Sequence, residues 1–393
     1  MAFCLLLMVP PPATAESNTE RALRSFDAFY RDAVSRDGII GSSFMFIHDN
    51  KIVDRQFYGM ANLEEKEPVD EETIYHWASI TKTFTGIAIM QLRDRGLVKL
   101  EDPVVKYVPE LRQVHDPYGD ISEITIRELM SHTAGFRAAT WPWGGDKAWE
   151  PFEPREWAQL VAMMPYTEIL FKPGSRYSYS NLGVVFLGRI IEEVAEDHFE
   201  TYVDKNIFKP LEMYHSYFDK TPFYLLKHRA RSYRVKDGKL IPAPFDAHTG
   251  ITVYNGGLNA PLPDMVKYIN FLMGDPAKQA IYNEVLKRSS LEEMWTAQAD
   301  ASEESKGGRN RKDWIGLSFF IEDNYGQHFI GHGGYQNAFS THFYLCPATR
   351  TAYLIAYNTY VSATKENPEI DTDRVDLRIK DYLFEHIFPL FKS

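Results

Sequence analysis

Cysteine is nearly missing. The 393-residue chain has two, Cys4 and Cys346, too few for a disulfide framework or a cysteine-held zinc cluster. A His-Glu-x-x-His run is also absent, so no metal is expected, and nothing else in the chain calls for a cofactor. No stretch reaches the roughly 18 apolar residues that a membrane-spanning helix needs. Nor is there a run of Lys or Arg long enough to track a phosphate backbone: 43 basic side chains stand against 54 acidic ones, a formal charge of −11, which argues against nucleic acid as a partner. What is there is 44% hydrophobic and 25% charged, with 24 Gly and 22 Pro, proportions that exclude disorder, collagen-like repeats and coiled coil. The length fits two or three units, or one domain carrying a large insertion.

The first 15 residues, MAFCLLLMVPPPATA, are apolar and uncharged and end in the small-x-small pattern Ala13-Thr14-Ala15. They predict an export signal, hence a secreted or periplasmic protein, although the start lacks a basic residue and carries Pro10-Pro11-Pro12. Cleavage after Ala15 would leave Cys346 alone, without a disulfide partner.

Apolar residues Ala22, Phe26, Phe29 and Ala33 recur at helical spacing and predict a surface helix over 18–37, stopped by Gly38. Residues 43–48 and 51–58 are β-rich runs separated by Asp49-Asn50, a hairpin signature. At the other end, 314–322, 328–332, 338–345 and 351–358 read as a meander, and Val375, Ile379, Tyr382, Leu383 and Ile387 mark a closing amphipathic helix. Between them, helical patterns cover 83–95, 124–131, 155–163, 182–195 and 262–273. The expectation is an α+β protein: one antiparallel sheet domain built from 16–78 and 311–393 and flanked by terminal helices, interrupted by a mainly helical insertion over 79–310. The charged stretch 302–313 reads as a solvated loop.

The sharpest local feature is Ser79-Ile80-Thr81-Lys82, which opens an apolar helix after Trp77-Ala78. Three residues apart on a helix, the hydroxyl and the amine share one face, and burial can lower the Lys pKa until the amine helps to deprotonate Ser. Alone the pattern is weak, because Ser362-Ala363-Thr364-Lys365 repeats it in a loop, and a Ser at a helix start is as often a cap. Tyr179-Ser180-Asn181 adds a phenol that can shuttle a proton and an amide that can orient Lys or a substrate. Tyr-x-Asn recurs at Tyr268-Ile269-Asn270, read as packing within a helix, and at Tyr335-Gln336-Asn337. Gly331-His332-Gly333-Gly334, expected between two strands, offers backbone that a substrate can lie along.

With these motifs, and with LMSHTAGF at 129–136, PGSRYSYSNLG, and Gly256-Gly257 before Asp264, nearly the whole chain resembles the serine β-lactamase superfamily, in its class C-like branch with D,D-carboxypeptidases, D-aminopeptidases and related esterases. The resemblance implies an α/β sandwich with an inserted helical domain and an active site in the cleft between them. It also implies Ser79 as acylated nucleophile, Lys82 as activating partner, Tyr179 as proton shuttle, and the backbone N–H groups of Ser79 and Tyr335 as oxyanion hole. Asn181, His332, Gly333 and Gly334 would bind substrate.

The third motif of such β-lactamases and carboxypeptidases usually has Thr or Ser where this chain has Gly333. A hydroxyl that would hold a substrate carboxylate is therefore missing, worth about 1.5–3 kcal/mol. This turns the expectation toward an esterase acting on small esters, with a D,D-carboxypeptidase, D-aminopeptidase or penicillin-binding protein as the alternative and a non-catalytic, peptidoglycan-binding scaffold as a further one. Trp141 and Trp143 read equally as a cleft wall or as core.

Overall fold

The computed structural model describes residues 17–142, 154–236, 239–245, 248–302, 311–361 and 371–391. The leader-like residues 1–15, Trp143, most of the charged loop and the second Ser-x-x-Lys match at 362–365 lie outside the described residues.

Helix α1 (Asn18–Arg36) starts at a reciprocal cap, with Ser17 accepting from the Glu20 N–H and the Glu20 carboxylate reaching back, and it buries Phe26, Tyr30, Ala33 and Val34. Nine strands follow in one antiparallel sheet: β1 (Gly41–His48), β2 (Lys51–Asn62), β3 (Glu67–Pro68), β4 (Ala299–Asp300), β5 (Lys312–Ile315), β6 (Phe320–Asn324), β7 (Gln327–Gln336), β8 (Phe339–Cys346) and β9 (Thr351–Tyr357). Their spatial order is β3-β2-β1-β9-β8-β7-β6-β5-β4. The two ends of the chain meet where β1 pairs with β9, Phe44 opposite Ile355. β4 belongs to this sheet although it falls within the stretch 79–310.

Period-two alternation sorts the side chains onto two cores. Phe44, Phe46, Phe329, Tyr353 and Ile355 pack with α1 and the C-terminal helix α6 (Thr372–Tyr382), where Phe329 stacks on Phe384 at 3.6 Å between centroids. Met45, Ile47, Phe343 and Leu354 face the other way, against the helical layer. That layer holds α2 (Thr81–Asp94), α3 (Ile126–Met130), α4 (Asn181–Ala195) and α5 (Leu262–Met273). α2 is buried on every side from Thr81 to Leu92, as a helix at the centre of a layer must be. Among the described residues no helix is long and apolar enough to cross a membrane.

Two sequence expectations change. The run 314–322 is not one strand but the hairpin β5–β6, turned through Ser318 at φ 64°. Its corner is held from outside, by Leu317 N–H to Met294 O and Ser318 N–H to Met130 O, both 2.8 Å. The Gly331–Gly334 motif does not join two strands but lies inside β7, because its missing side chains leave room for close neighbours on both faces of the sheet.

Candidate active site

Residues Ala78–Ile80 form a single tight turn that runs directly into α2. Ala78 is in the left-handed region, φ 47°, a conformation that costs an L residue about 1–2 kcal/mol. Tertiary bonds hold it there: Trp77 N–H to Leu258 O and Trp77 Nε1–H to Ala260 O, both 2.8 Å, and Thr81 Oγ1 donating to Ala78 O at 2.6 Å. Ser79 is left half-buried, its N–H in a first turn where no intrahelical acceptor exists.

One turn on, Lys82 is fully buried, with Nζ 3.0 Å from Ser79 Oγ and 2.9 Å from Asn255 O. Burial pushes its pKa well below the usual lysine value, and among the described residues no carboxylate reaches ion-pair distance to offset this. A neutral amine here can donate to Asn255 O and turn its lone pair to the Ser79 hydroxyl.

The loop carrying Tyr179 is clasped by one residue. His132 O accepts from Ser178 N–H at 2.9 Å and His132 Nδ1 accepts from Ser180 N–H at 3.2 Å, so the neighbours of Tyr179 on both sides are tied to it. The His132 ring lies 4.6 Å from the Tyr179 ring, centroid to centroid, and the Tyr179 ring centroid is 5.0 Å from Lys82 Nζ. Burial first, then Lys82 and His332, keeps His132 well below the usual imidazole value. Ser180 caps α4 by accepting from Gly183 N–H at 2.9 Å.

On β7, His332 is buried and donates Nδ1–H to Gly333 O at 2.6 Å, which leaves Nε2 as an acceptor without a partner among the described residues. Burial and Lys82 pull its pKa down to about 3. A Cβ on Gly334 would stand 2.2 Å from Trp77 O and 3.1 Å from Ser79 N, so only glycine lets β7 approach the serine turn. On the opposite face a Cβ on Gly333 would meet His342 Nε2 at 2.4 Å. Pairing with β6 ends at Gly331, and no strand pairs with 332–336 on that side among the described residues. Tyr335 continues this open edge, its ring exposed against Tyr360.

Ser79, Lys82, Tyr179 and the 331–335 strand are thus brought to one place. Asn181 is not joined to Lys82: it bonds through its backbone, N–H to Ala138 O at 3.0 Å and O from Asn255 Nδ2 at 3.3 Å. The group that orients Lys82 is the Asn255 carbonyl, one residue before Gly256-Gly257. Trp141 is half-buried, its carbonyl accepting from Arg137, and it does not line the cavity beside Tyr179. Tyr268 is packing, stacked on Phe84 at 4.1 Å. Sequence reasoning passed over His132 and Asn255, although LMSHTAGF carried the first in plain view. Among the described residues no three metal-ligating side chains cluster.

A family model named Beta-lactamase matches residues 26–376. The chain is 29% identical over 218 residues to protein flp of Staphylococcus aureus, covering 56% of this chain and 42% of that one, so it spans about two fifths of the length of the curated relatives it matches. The structure superposes on the octameric penicillin-binding protein homologue from Pyrococcus abyssi with a TM-score of 0.71 at 26% identity, covering 91% of this chain and 77% of that one. It superposes on the beta-lactamase/D-alanine carboxypeptidase from Pseudomonas syringae with a TM-score of 0.72 at 17% identity, covering 93% and 99%, a likeness of fold alone.

Proposed function

The chain belongs to the beta-lactamase family, and from that premise we propose that it is a serine hydrolase that forms an acyl-enzyme on Ser79 and acts on small carboxylic esters. The observation that carries this reading is the 3.0 Å approach of Lys82 Nζ to Ser79 Oγ, with burial pulling the amine's pKa well below the usual lysine value. Ser79 Oγ attacks the ester carbonyl carbon as its proton passes to Lys82. The developing oxyanion is met by the N–H groups of Ser79 and Tyr335, each such donor worth about 2.7–4 kcal/mol in the transition state. Tyr179 returns a proton to the departing alkoxide, and water then releases the acid by the same route in reverse.

Two features support esters over carboxylate-terminated peptides. Gly333 offers no hydroxyl, and His332, with its pKa near 3, offers no positive charge at neutral pH. The leader-like residues 1–15 support a secreted or periplasmic location.

The test is intact-mass spectrometry after brief exposure to p-nitrophenyl butyrate, a fluorophosphonate and benzylpenicillin, with Ser79→Ala alongside. The expected result is a fluorophosphonate adduct that Ser79→Ala lacks, with rapid nitrophenol release. A lasting penicilloyl adduct instead would establish the D,D-peptidase alternative, and adducts that survive Ser79→Ala would remove Ser79 as nucleophile.

A further inference from the structure

The two N–H groups that meet the oxyanion, on Ser79 and Tyr335, come from segments far apart in the chain and must keep one spacing. A single buried ring bridges those segments. His76, three residues before Ser79, ends the short strand Ile74–His76 and is buried. Its Nδ1 lies 3.0 Å from Asn259 Oδ1 and its Nε2 lies 3.2 Å from Gln336 Oε1. Gln336 follows Tyr335 directly and is the last residue of β7.

The Asn259 side is fixed. Its amide nitrogen donates to Gly257 O at 3.1 Å and to Asp219 O at 3.4 Å, which turns its oxygen to the ring, and its backbone pairs with that of His76. His76 Nδ1 therefore carries the hydrogen. Burial first, then Arg229, lowers the ring's pKa to about 4, so at neutral pH Nε2 is a lone pair, and the Gln336 amide, able to present either end, supplies its donor.

The segment 255–259 closes the network. Asn255 O accepts from Lys82 Nζ at 2.9 Å, Leu258 O accepts from Trp77 N–H at 2.8 Å, and a Cβ on Gly256 would stand 2.4 Å from Gln336 Oε1. The same short segment thus seats the amine, the serine turn and the end of β7. That end needs a seat. No strand pairs with 332–336 on the open side among the described residues, and the next two residues, Asn337 and Ala338, turn the chain back through left-handed backbone, φ 50° and 62°. On the open side the Gln336 side chain bonds to His76 alone among the described residues.

We propose that His76 is a positioning residue for the oxyanion hole: bonded to Asn259 on one side and to Gln336 on the other, it sets the spacing between the Ser79 turn and the Tyr335 N–H. This rests on Ser79 being the nucleophile and on Ser79 and Tyr335 being the two donors. The oxyanion exists only beyond the ground state, so the brace acts on kcat and not on KM.

The test measures kcat and KM for p-nitrophenyl butyrate, and inhibition by butylboronic acid, whose tetrahedral serine adduct puts an oxygen where the oxyanion forms. Parent, His76→Phe, Gln336→Met and the double variant are compared. Each single variant should lower kcat by about tenfold to a hundredfold and weaken the boronate by a similar factor, with KM changed less than about twofold. The double variant should lose no more than the worse single one, because both cut one bond. Gln336→Met leaves the buried ring in place, so it reads the brace even where His76→Phe fails to fold. Parent kcat in Gln336→Met overturns the brace, as do a rise in KM alone, a lowered melting temperature with kcat unchanged, or losses that simply add in the double variant. Ser79→Ala keeps the two readings apart: turnover that persists there strikes at the serine reading itself, whereas an inactive Ser79→Ala beside fully active brace variants removes only the role of His76.

Discussion

Two lysines are buried on opposite faces of one sheet, and their pKa values are shifted in opposite directions. Lys82, on the helical-layer face, touches a hydroxyl and a carbonyl, and burial alone sets its pKa, well down. On the α6 face, burial pulls Lys380 down as well, but Tyr344 and Glu322 outweigh it and the pKa is raised. The Lys380 ammonium lies 2.7 Å from the Glu322 carboxylate. Removal from water is common to both, so what decides the direction of the shift is the acid partner supplied or withheld. The same contrast runs through the regions around them. The α6 face closes its charges into pairs, Arg311–Glu322 and Arg378–Asp37 among them. Around Ser79, His76, His132 and His332 join Lys82 with no carboxylate at ion-pair distance among the described residues, and burial leads the downward shift of each.

Exchanging either amine for an apolar side chain of similar length breaks the contrast most sharply. Lys82→Met should lower kcat/KM by about 10²–10⁴ while urea unfolding stays within about 1 kcal/mol of the parent, since no buried charge loses a partner. Full activity would take Lys82 out of proton transfer. Lys380→Met should do the reverse, costing about 3–5 kcal/mol because Glu322 is left short of its amine, and Glu322→Gln in the same chain should restore part of it. An unchanged unfolding midpoint in Lys380→Met would mean that Arg311 alone suffices for Glu322.

Acid sharpens the comparison next. His76, buried between Asn259 and Gln336, has its pKa lowered by burial to about 4. As pH falls, the unfolded chain binds a proton there first. The stability that this neutral ring carries is therefore whole above about pH 6.5 and is lost on the way down to about pH 4, up to about 3 kcal/mol. His76→Gln should flatten the fall measured between neutral pH and pH about 4.5, and an equally steep fall in both proteins would take His76 out of the account. The smallest effect is expected at the clasp: His132→Ala should cost about tenfold in kcat with less change in KM, because Tyr179 is misplaced rather than removed. Unchanged kcat would show that the loop holds itself.

Much of this was legible in the chain where a signal is local. The helix over 262–273 keeps its bounds because its buried stripe and Pro263 near its start are written within twelve residues, and Ser79 and Lys82 share a face by helical spacing alone. What escaped is what other segments impose. Residues 314–322 look like one strand, yet Met130 and Met294 bend them into a hairpin. Glycine is a poor strand former, so 331–334 read as a link. Only the Trp77 carbonyl, the Ser79 N–H and the His342 ring make it a strand that needs to be bare. His342 comes to lie beside Gly333 through the register Gly333 opposite His342, a pairing that no local pattern announces.

The turn at Ala78 has one more consequence. Its left-handed backbone is held by bonds from Trp77 to Leu258 and Ala260, some 180 residues away in sequence. The serine's aim is thus borrowed from a distant strand, Leu258–Pro261, and it lasts only as long as that strand stays docked. Local opening there would release the strain and silence the serine while the sheet and its aromatic core were still intact, so that on warming, catalytic competence would fade ahead of the loss of the fold.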